Sequence, residues 1–202
     1  MPQTLHPVIT GLIIAGGLAR RMGGIDKGMQ PLGGKPMLAH VIERFAPQVD
    51  AVVINANQNP AAYAAFGYPV IADTIKGYAG PLAGLHAGLA ACATPLLVSV
   101  PCDSPFLPLD LVARLHVALD TAQAELAVAT TAGWKQHAFM LCRRELLPGL
   151  TAFLEEGGRK IGFWYEKLDV VEVPFADEDA FANINTLEEL QHYAHRENLE
   201  NS

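Results

Sequence analysis

The residues with the clearest chemical potential lie in a glycine-rich segment, residues 16–27, that follows an apolar run. The segment reads GGLARRMGGIDK, and its four glycines allow several backbone N–H groups to turn inward. Such a nest of N–H groups after a strand binds phosphate oxygens. Arg21 would add a planar guanidinium fork and Lys27 a point charge. The pattern predicts a phosphate-binding loop, with a glycine-rich surface turn carrying incidental bases as the alternative.

Two better-known phosphate-binding motifs do not fit the chain. Residues 28–36 approach a Walker loop, but the lysine comes one residue late and Pro36 stands where a magnesium-binding Ser or Thr would be. No Gly-x-Gly-x-x-Gly occurs, which removes the main support for a dinucleotide-dependent oxidoreductase.

A carboxylate, Asp103, comes three residues after a second apolar run, LLVSV at 96–100. Ligand sites of open α/β sheets lie at the carboxyl ends of their strands. A lone carboxylate at such an end suits Mg²⁺, because phosphates and water complete the coordination of this ion. The alternative is that Asp103 caps the next helix or turn.

Polar residues also follow two other predicted strands. Asn55 ends AVVIN and Asp73 follows PVIA, while residues 80–84 form a tight Gly-Pro-Leu-Ala-Gly loop before a helix. Each of these residues alone is typical of a turn. Together they would line the same edge of the sheet as Gly16 and Asp103.

Strand and helix patterns alternate along the chain and predict the elements that would position these residues. Strands are expected at 8–15, 51–55, 69–72 and 96–100, and helices at 35–46, 60–66, 82–92 and 109–121. The second half predicts strands at 126–130, 138–142 and 169–173, and helices at 143–155 and 186–196. This order predicts an α/β, Rossmann-like fold, with a mainly parallel sheet flanked by helices on both faces.

The amino-acid composition limits the classes of protein to which this chain can belong. The 202 residues are 50% hydrophobic and 17% charged, which suits one folded domain, residues 1–202. The three cysteines form no Cys-x-x-Cys, so neither a disulfide framework nor a zinc finger is expected. The net charge is −7, and the basic patch is local to residues 16–35, which favours a small anionic ligand over nucleic acid.

No membrane association is expected. Residues 77–102 carry no Asp, Glu, Lys or Arg, but three prolines and four glycines interrupt them too often for a lipid-spanning helix. Residues 1–8 lack the basic and apolar regions of a signal peptide, so the expected location is cytoplasmic.

In these motifs the chain resembles the molybdenum cofactor guanylyltransferases, nucleotidyltransferases that link a nucleoside monophosphate to a phosphorylated acceptor. The resemblance covers about residues 9–192. The motifs that carry it are Ala-Gly-Gly…Arg-Met-Gly-Gly-x-Asp-Lys at 15–27, Asn-Ala-Asn at 55–57, Asp73, Gly-Pro-Leu-Ala-Gly at 80–84, Pro-Cys-Asp-Ser-Pro at 101–105 and Asn-Ile-Asn-Thr at 183–186.

The resemblance implies GTP as the nucleotide, Mg²⁺ as the metal, and molybdopterin or molybdenum–molybdopterin as the acceptor. It also implies transient contacts with other cofactor-biosynthesis proteins or molybdoenzyme chaperones. The nucleotide-binding residues that it implies are Ile14, Ala15, Gly16, Gly17, Lys27, Asn55, Asp73 and Asp103. The catalytic residues would be Arg21, Lys27 and Asp103, with Asp103 holding the metal.

The acceptor is expected to bind in the second half of the chain, about residues 106–195, because the nucleotide motifs fall within about residues 8–105. Arg159 follows Gly157-Gly158, a pair of glycines that allows close approach to a phosphate. Asn183 and Asn185 alternate, so that both amides could face one way and bind an anion without repelling it. The alternative roles are a helix cap for Arg159 and a turn for the asparagines.

Two other functions fit the same sequence. A cytidylyltransferase or a sugar-phosphate nucleotidyltransferase would share the fold and differ in its base pocket. A regulatory protein that binds a nucleotide without catalysis would keep the glycine loop but have no use for Asp103.

Overall fold

The strands and helices that position the candidate residues form one sheet with helices on both sides. The computed structural model describes residues 8–15, 26–75, 80–184 and 188–189. Its strands are β1 Ile9–Ile14, β2 Pro31–Leu32, β3 Lys35–Pro36, β4 Ala51–Asn55, β5 Val70–Ile71, β6 Leu96–Pro101, β7 Leu126–Thr131, β8 Trp134–Arg143 and β9 Val170–Phe175. Its α-helices are α1 Met37–Phe45, α2 Pro60–Ala64, α3 Pro81–Ala91, α4 Leu111–Ala122, α5 Leu147–Glu155 and α6 Ile161–Tyr165.

The main sheet has the strand order β5-β4-β1-β6-β8-β7-β9. Its neighbours are parallel except at β8, which runs antiparallel to β6 and to β7. Strands β2 and β3 form a separate small hairpin. The prediction of a mainly parallel Rossmann-like sheet is confirmed.

Helices cover both faces of this sheet, which explains why the central strands are buried throughout and mostly apolar. All six residues of β1 are buried, and so are all six of β6. Successive side chains of a strand point to opposite faces. Accordingly, Ile13 packs in a cluster with Phe45 of α1 and Leu115 of α4, whereas Leu12 packs in a second cluster with Leu89 of α3 and Leu150 of α5.

Helix α3 approaches the sheet unusually closely because two of its inner residues are glycines. A Cβ at Gly88 would lie 2.5 Å from Cδ2 of Leu12, and one at Gly84 would lie 2.5 Å from Oδ1 of Asn55. The two glycines are four residues apart and therefore share one face of the helix. A larger residue at either position would push α3 away from β1 and β4.

Several predicted boundaries were wrong, each for a local reason. The helix predicted from residue 35 begins at Met37, because Lys35–Pro36 are extended and pair with β2. Strand β8 begins at Trp134 rather than 138, because a tight turn with positive φ at Ala132 and Gly133 pairs it with β7. The helix predicted from residue 143 begins with a 3₁₀ turn, Arg144–Leu146.

Helix α6 and the β2–β3 hairpin were not predicted. The last predicted helix, 186–196, lies outside the described residues except for two helical positions, 188 and 189. Within the described ranges, none of the helices combines the length and the apolar character needed to cross a membrane.

A buried histidine joins α3 to α5. His86 Nε2 lies 3.0 Å from Thr151 Oγ1, and Nδ1 lies 3.2 Å from Thr74 Oγ1. Thr151 already donates its hydroxyl proton to Leu147 O, at 2.8 Å. It must therefore accept from Nε2–H, which assigns the neutral tautomer with Nδ1 as the acceptor. Burial lowers the pKa of His86, and the nearby Glu155 opposes that shift.

This lowered pKa predicts that acid weakens the fold. The unfolded chain binds a proton at His86 near its ordinary pKa of about 6.5, whereas the folded chain resists protonation, so the stabilisation is complete above that pH and is lost below it. The free energy of unfolding should fall by at most about 1.4 kcal/mol per pH unit for this proton. Urea unfolding between about pH 7.5 and 5.5 should show a smaller loss for His86→Gln than for the wild type. Equal losses in the two proteins would contradict this role.

Candidate active site

The candidate residues meet at a cavity of about 250 Å³ at the carboxyl ends of β1 and β6. The residues that line it are Ile14, Ala15, Asp26, Lys27, Pro81, Pro101, Cys102, Asp103, Ala138 and Asn183. Most of them come from the predicted nucleotide half, and two come from the predicted acceptor half. The division of the chain into these halves stays a prediction.

Backbone hydrogen bonds join the strand ends that form the floor of the cavity. Ala15 N donates to Asn55 O at 2.8 Å, and Cys102 N donates to Ile14 O at 3.1 Å. Ile14 is also paired in register with Asn55 of β4 on one side and with Pro101 of β6 on the other. The sheet therefore fixes the ends of β1, β4 and β6 relative to one another.

Lys27 and Asp103 face each other across this cavity. Lys27 Nζ lies 3.1 Å from Asp103 Oδ2, and the side chains are 31% and 12% exposed. Lys27 is the last residue of the glycine-rich segment and the first residue of a short 3₁₀ turn, Lys27–Met29. Because the pair is partly shielded from water, its charges interact more strongly than those of a surface pair. Two residues that are 76 positions apart in the sequence thus form one charged site.

Asp103 occupies a turn that the C-terminal part of the chain closes. Its backbone oxygen accepts from Ile184 N at 2.9 Å. Next to it, the Ser104 hydroxyl donates to Asn183 Oδ1 at 2.5 Å. The N-cap residue of the following helix, α4, is Asp110. The Asp103 side chain therefore faces Lys27 and does not cap that helix.

The carboxylate at the cavity fits a magnesium ion whose other ligands come from a substrate and from water. The carboxylate of Asp103 lines the cavity, whereas that of Asp26, which also lines it, already accepts from the Tyr63 hydroxyl through Oδ1. No group of three or more His, Cys, Asp or Glu suited to a metal occurs in the part of the chain that the structure describes. Mg²⁺ commonly binds to one or two carboxylates and takes its remaining ligands from water and phosphates. The donor set matches that pattern and differs from an all-protein metal cage.

Asn55 and Asp73 form a second polar group, beside the cavity. Asn55 Nδ2 donates to Asp73 Oδ1 at 2.9 Å, and Asn57 Nδ2 donates to Asp73 Oδ2 at 2.8 Å. The backbone N of Asp73 donates in turn to Asn57 Oδ1 at 2.8 Å. These bonds connect the end of β4 to the segment after β5. Sequence reasoning did not select Asn57 as a site residue, although its motif contains it.

Asn55 is also held against α3. The residue is 1% exposed, and within the described residues its Oδ1 atom accepts no hydrogen bond. This oxygen faces Gly84 in α3. The small residue that the sequence places at 84 is therefore needed for the position of Asn55.

Cys102 lines the cavity and Tyr63 lies behind it, and burial raises the pKa of both side chains, so neither is suited to act as a nucleophile or a general acid. Tyr63 is fully buried, and its hydroxyl donates to Asp26 Oδ1. Burial raises the pKa of the Cys102 thiol well above its usual value, and the Asp103 and Asp26 charges add to that shift. Sequence reasoning missed Tyr63, because an aromatic residue in a short helix looks like ordinary core packing.

Other predicted site residues do not line the cavity or cannot be placed. Gly16, Gly17, Arg21 and Asn185 lie outside the described residues. Arg159 follows α5, where its Nη1 donates to Leu154 O at 2.9 Å and to Gly158 O at 2.6 Å. The structure thus shows the capping contact that was the alternative role for Arg159, and it leaves the role toward an acceptor a prediction.

Comparison with known proteins places this geometry among nucleotidyltransferases. A sequence model described as "MobA-like NTP transferase domain" matches residues 11–170. The chain is 53% identical over 188 residues to the molybdenum cofactor guanylyltransferase of Cupriavidus necator, which covers 91% of this chain and 94% of that protein. It is 50% identical over 197 residues to the protein of the same name from Ralstonia nicotianae, with 93% and 97% covered.

Solved structures show the same fold. Molybdopterin-guanine dinucleotide biosynthesis protein A from Archaeoglobus fulgidus superposes with a TM-score of 0.79 at 24% identity, over 94% of this chain and 99% of that one.

Proposed function

The chain belongs to the MobA-like NTP transferase family, and from that premise we propose that it is a molybdenum cofactor guanylyltransferase. It transfers GMP from GTP to the terminal phosphate of molybdopterin or of molybdenum–molybdopterin. The structural observation that carries the proposal is the contact between Lys27 and Asp103 at the strand ends. A cation and a carboxylate at this place can bind a triphosphate together with a divalent ion.

The reaction is a single displacement at phosphorus. An oxygen of the acceptor's terminal phosphate forms a bond to the α-phosphorus of GTP, and the bond from that phosphorus to the bridging oxygen of the β-phosphate breaks. Pyrophosphate leaves, and the guanine dinucleotide form of the cofactor remains. Because no covalent enzyme intermediate is needed, catalysis consists of positioning and charge neutralisation.

Residues in and beside the cavity contribute to this positioning and charge neutralisation. Lys27 offsets negative charge on the phosphates, and the backbone of Ile14 and Ala15 approaches the nucleotide from the end of β1. Asn55 and Asp73 contact the nucleotide beside the cavity, where hydrogen bonds hold them in a fixed orientation. For Gly16, Gly17 and Arg21 the proposal rests on the sequence pattern alone, with Arg21 neutralising the departing pyrophosphate.

Asp103 is the residue that would hold Mg²⁺. The ion supplies Lewis-acid neutralisation of the phosphate charge when it is bound. Asp103 is well suited to this because the hydrogen bond from Ile184 N fixes its backbone and Lys27 orients its carboxylate.

We propose that Arg159, Asn183 and Asn185 bind the acceptor. Asn183 supports this because it lines the same cavity as Asp103. Arg159→Ala and Asn185→Asp should each weaken the use of molybdopterin while the affinity for GTP changes by less than about threefold, under 1 kcal/mol. Separate measurements of GTP binding and of transfer check this.

A comparison of thermal midpoints controls for the α5 contact of Arg159. Loss of GTP binding in both variants, with the affinity for molybdopterin intact, would contradict the assignment of these residues to the acceptor.

Nucleotide choice tests the proposal against its rivals. GTP should be used at least about tenfold better than ATP or CTP, a difference of about 1.4 kcal/mol. Turnover with CTP that equals or exceeds turnover with GTP would move the chain to the cytidylyltransferases. Tight nucleotide binding without any transfer would instead favour a regulatory protein.

The cytoplasmic location and the transient contacts with cofactor-biosynthesis proteins or molybdoenzyme chaperones belong to the same proposal.

A further inference from the structure

We propose that Tyr63 is a positioning residue for the nucleotide site: its buried hydroxyl fixes Asp26, and Asp26 fixes the turn from which Lys27 reaches Asp103. The inference rests on the proposed function, because it assigns this role at the same site. It concerns a core residue that does not itself line the cavity but donates a hydrogen bond to Asp26, which does.

The first step is the link from α2 to the site. Tyr63 lies on α2 and is fully buried in the core cluster that also contains Ile54 and Cys102. Its hydroxyl donates to Asp26 Oδ1. Asp26 lines the cavity and is the last residue before the turn that begins at Lys27. A core side chain thus holds Asp26, directly before the turn that carries Lys27.

The second step is the packing of the turn itself. The turn closes with Met29 N donating to Asp26 O at 3.0 Å. A Cβ at Gly28 would lie 3.2 Å from Tyr63 Oη and 3.5 Å from Cys102 Cβ. The turn therefore sits directly between the Tyr63 hydroxyl and the end of β6. A displacement of the hydroxyl would move the backbone that carries Lys27.

The third step is electrostatic. Burial raises the pKa of Tyr63 well above its usual range, and the neighbouring Cys102 and Asp26 raise it further, so the hydroxyl keeps its proton and remains a donor. A hydroxyl that donates to a carboxylate forms one of the stronger hydrogen bonds in proteins. It gives the Asp26 carboxylate a partner other than the adjacent Lys27 ammonium. Lys27 is thereby kept in its contact with Asp103.

The proposal predicts an effect on phosphate binding that a general loss of stability would not produce. Tyr63→Phe removes the hydroxyl and leaves the ring in the core. Affinity for GTP should fall by about tenfold, equivalent to about 1.4 kcal/mol. Affinity for guanosine, which has no phosphates, should stay within about twofold, or 0.4 kcal/mol.

Calorimetric titration of the full chain with GTP and with guanosine, in the presence of Mg²⁺, tests the proposal. The proteins compared are the wild type, Tyr63→Phe, Asp26→Ala and the double variant. Asp26→Ala should reproduce the loss for GTP, and Tyr63→Phe should add nothing in the Asp26→Ala background, because Tyr63 acts through Asp26. If Tyr63→Phe does not fold, the Asp26→Ala variant still tests the link from its other end.

A second buried tyrosine supplies the matched control. The hydroxyl of Tyr165 on α6 donates to Met140 Sδ at 3.7 Å. Tyr165→Phe therefore removes a buried hydroxyl elsewhere in the core, and its affinity for GTP should equal that of the wild type.

Four outcomes overturn the proposal in distinguishable ways. If the wild type binds GTP and Tyr63→Phe binds it equally well, the positioning role is wrong and the proposed function stands. Additive effects in the double variant, or equal losses for GTP and guanosine, also exclude action through Asp26. If the wild type itself does not bind GTP, the proposed function fails, and the inference fails with it.

Discussion

Asp103→Asn is expected to fold as the wild type does and to lose at least about a hundredfold in kcat, about 2.7 kcal/mol. The substitution keeps the size of the side chain and one oxygen but removes the negative charge that a hard cation prefers. The same charge is the partner of the Lys27 ammonium, at 3.1 Å. Both functions of the carboxylate are therefore lost together, while the backbone contact with Ile184 is untouched.

Steady-state kinetics at several Mg²⁺ concentrations, with a thermal midpoint for each protein, measures this effect. Asp110→Asn is the matched control, because Asp110 is an exposed aspartate at the start of α4 whose ion pair with Arg114 is 3.8 Å long. Its kcat should stay near that of the wild type. Near wild-type turnover of Asp103→Asn at low Mg²⁺ would exclude Asp103 as the metal ligand.

Lys27→Ala is expected to lower kcat/KM for GTP by between about tenfold and a hundredfold, with folding preserved. A hydrogen bond or ion pair to a charged group contributes about 1.5–3 kcal/mol, which corresponds to this range. The removed ammonium would no longer offset the charge on the phosphates. The Asp103 side chain, which is only 12% exposed, would also lose its partner.

Lys35→Ala provides the comparison for Lys27→Ala. Lys35 pairs with Glu43 at 2.8 Å, but both side chains are more than half exposed, so the pair is screened by water. GTP kinetics of Lys35→Ala should match those of the wild type. A large loss of thermal stability in Lys27→Ala with unchanged GTP kinetics would mean that Lys27 has a structural role only.

The sequence predicted those parts of the fold whose periodicity is unambiguous. β1, β4 and β6 are mostly apolar because both faces of the sheet are covered, and the polar residues at or just after their ends, Asn55 and Asp103 among them, could be assigned to one edge. β8 was predicted too short because an exposed tryptophan and three polar residues begin it, so no apolar pattern marks this part of the strand. They form a strand because the turn at Ala132 and Gly133 pairs them with β7.

Within the site, sequence reasoning found residues near glycine motifs and strand ends and missed those that support them from the core. Tyr63 carries no local signal, since its hydrogen bond to Asp26 spans 37 positions. Arg159 shows the opposite case. Its position after two glycines suggests a phosphate ligand, yet its guanidinium contacts carbonyl oxygens at the end of α5. Long-range side-chain contacts of this kind are set by the tertiary fold and have no signature in a short window of sequence.

The most direct test of the proposed function is the mass of the product. The purified protein is incubated with molybdopterin, Mg²⁺ and an equal mixture of GTP, ATP, CTP and UTP, and the products are analysed by mass spectrometry with pyrophosphate measured in parallel. The proposed function predicts that molybdopterin gains one guanylyl unit and that one pyrophosphate is released for each product formed. A molybdopterin product carrying a cytidylyl unit, or GTP consumption with no change in the mass of molybdopterin, would contradict it.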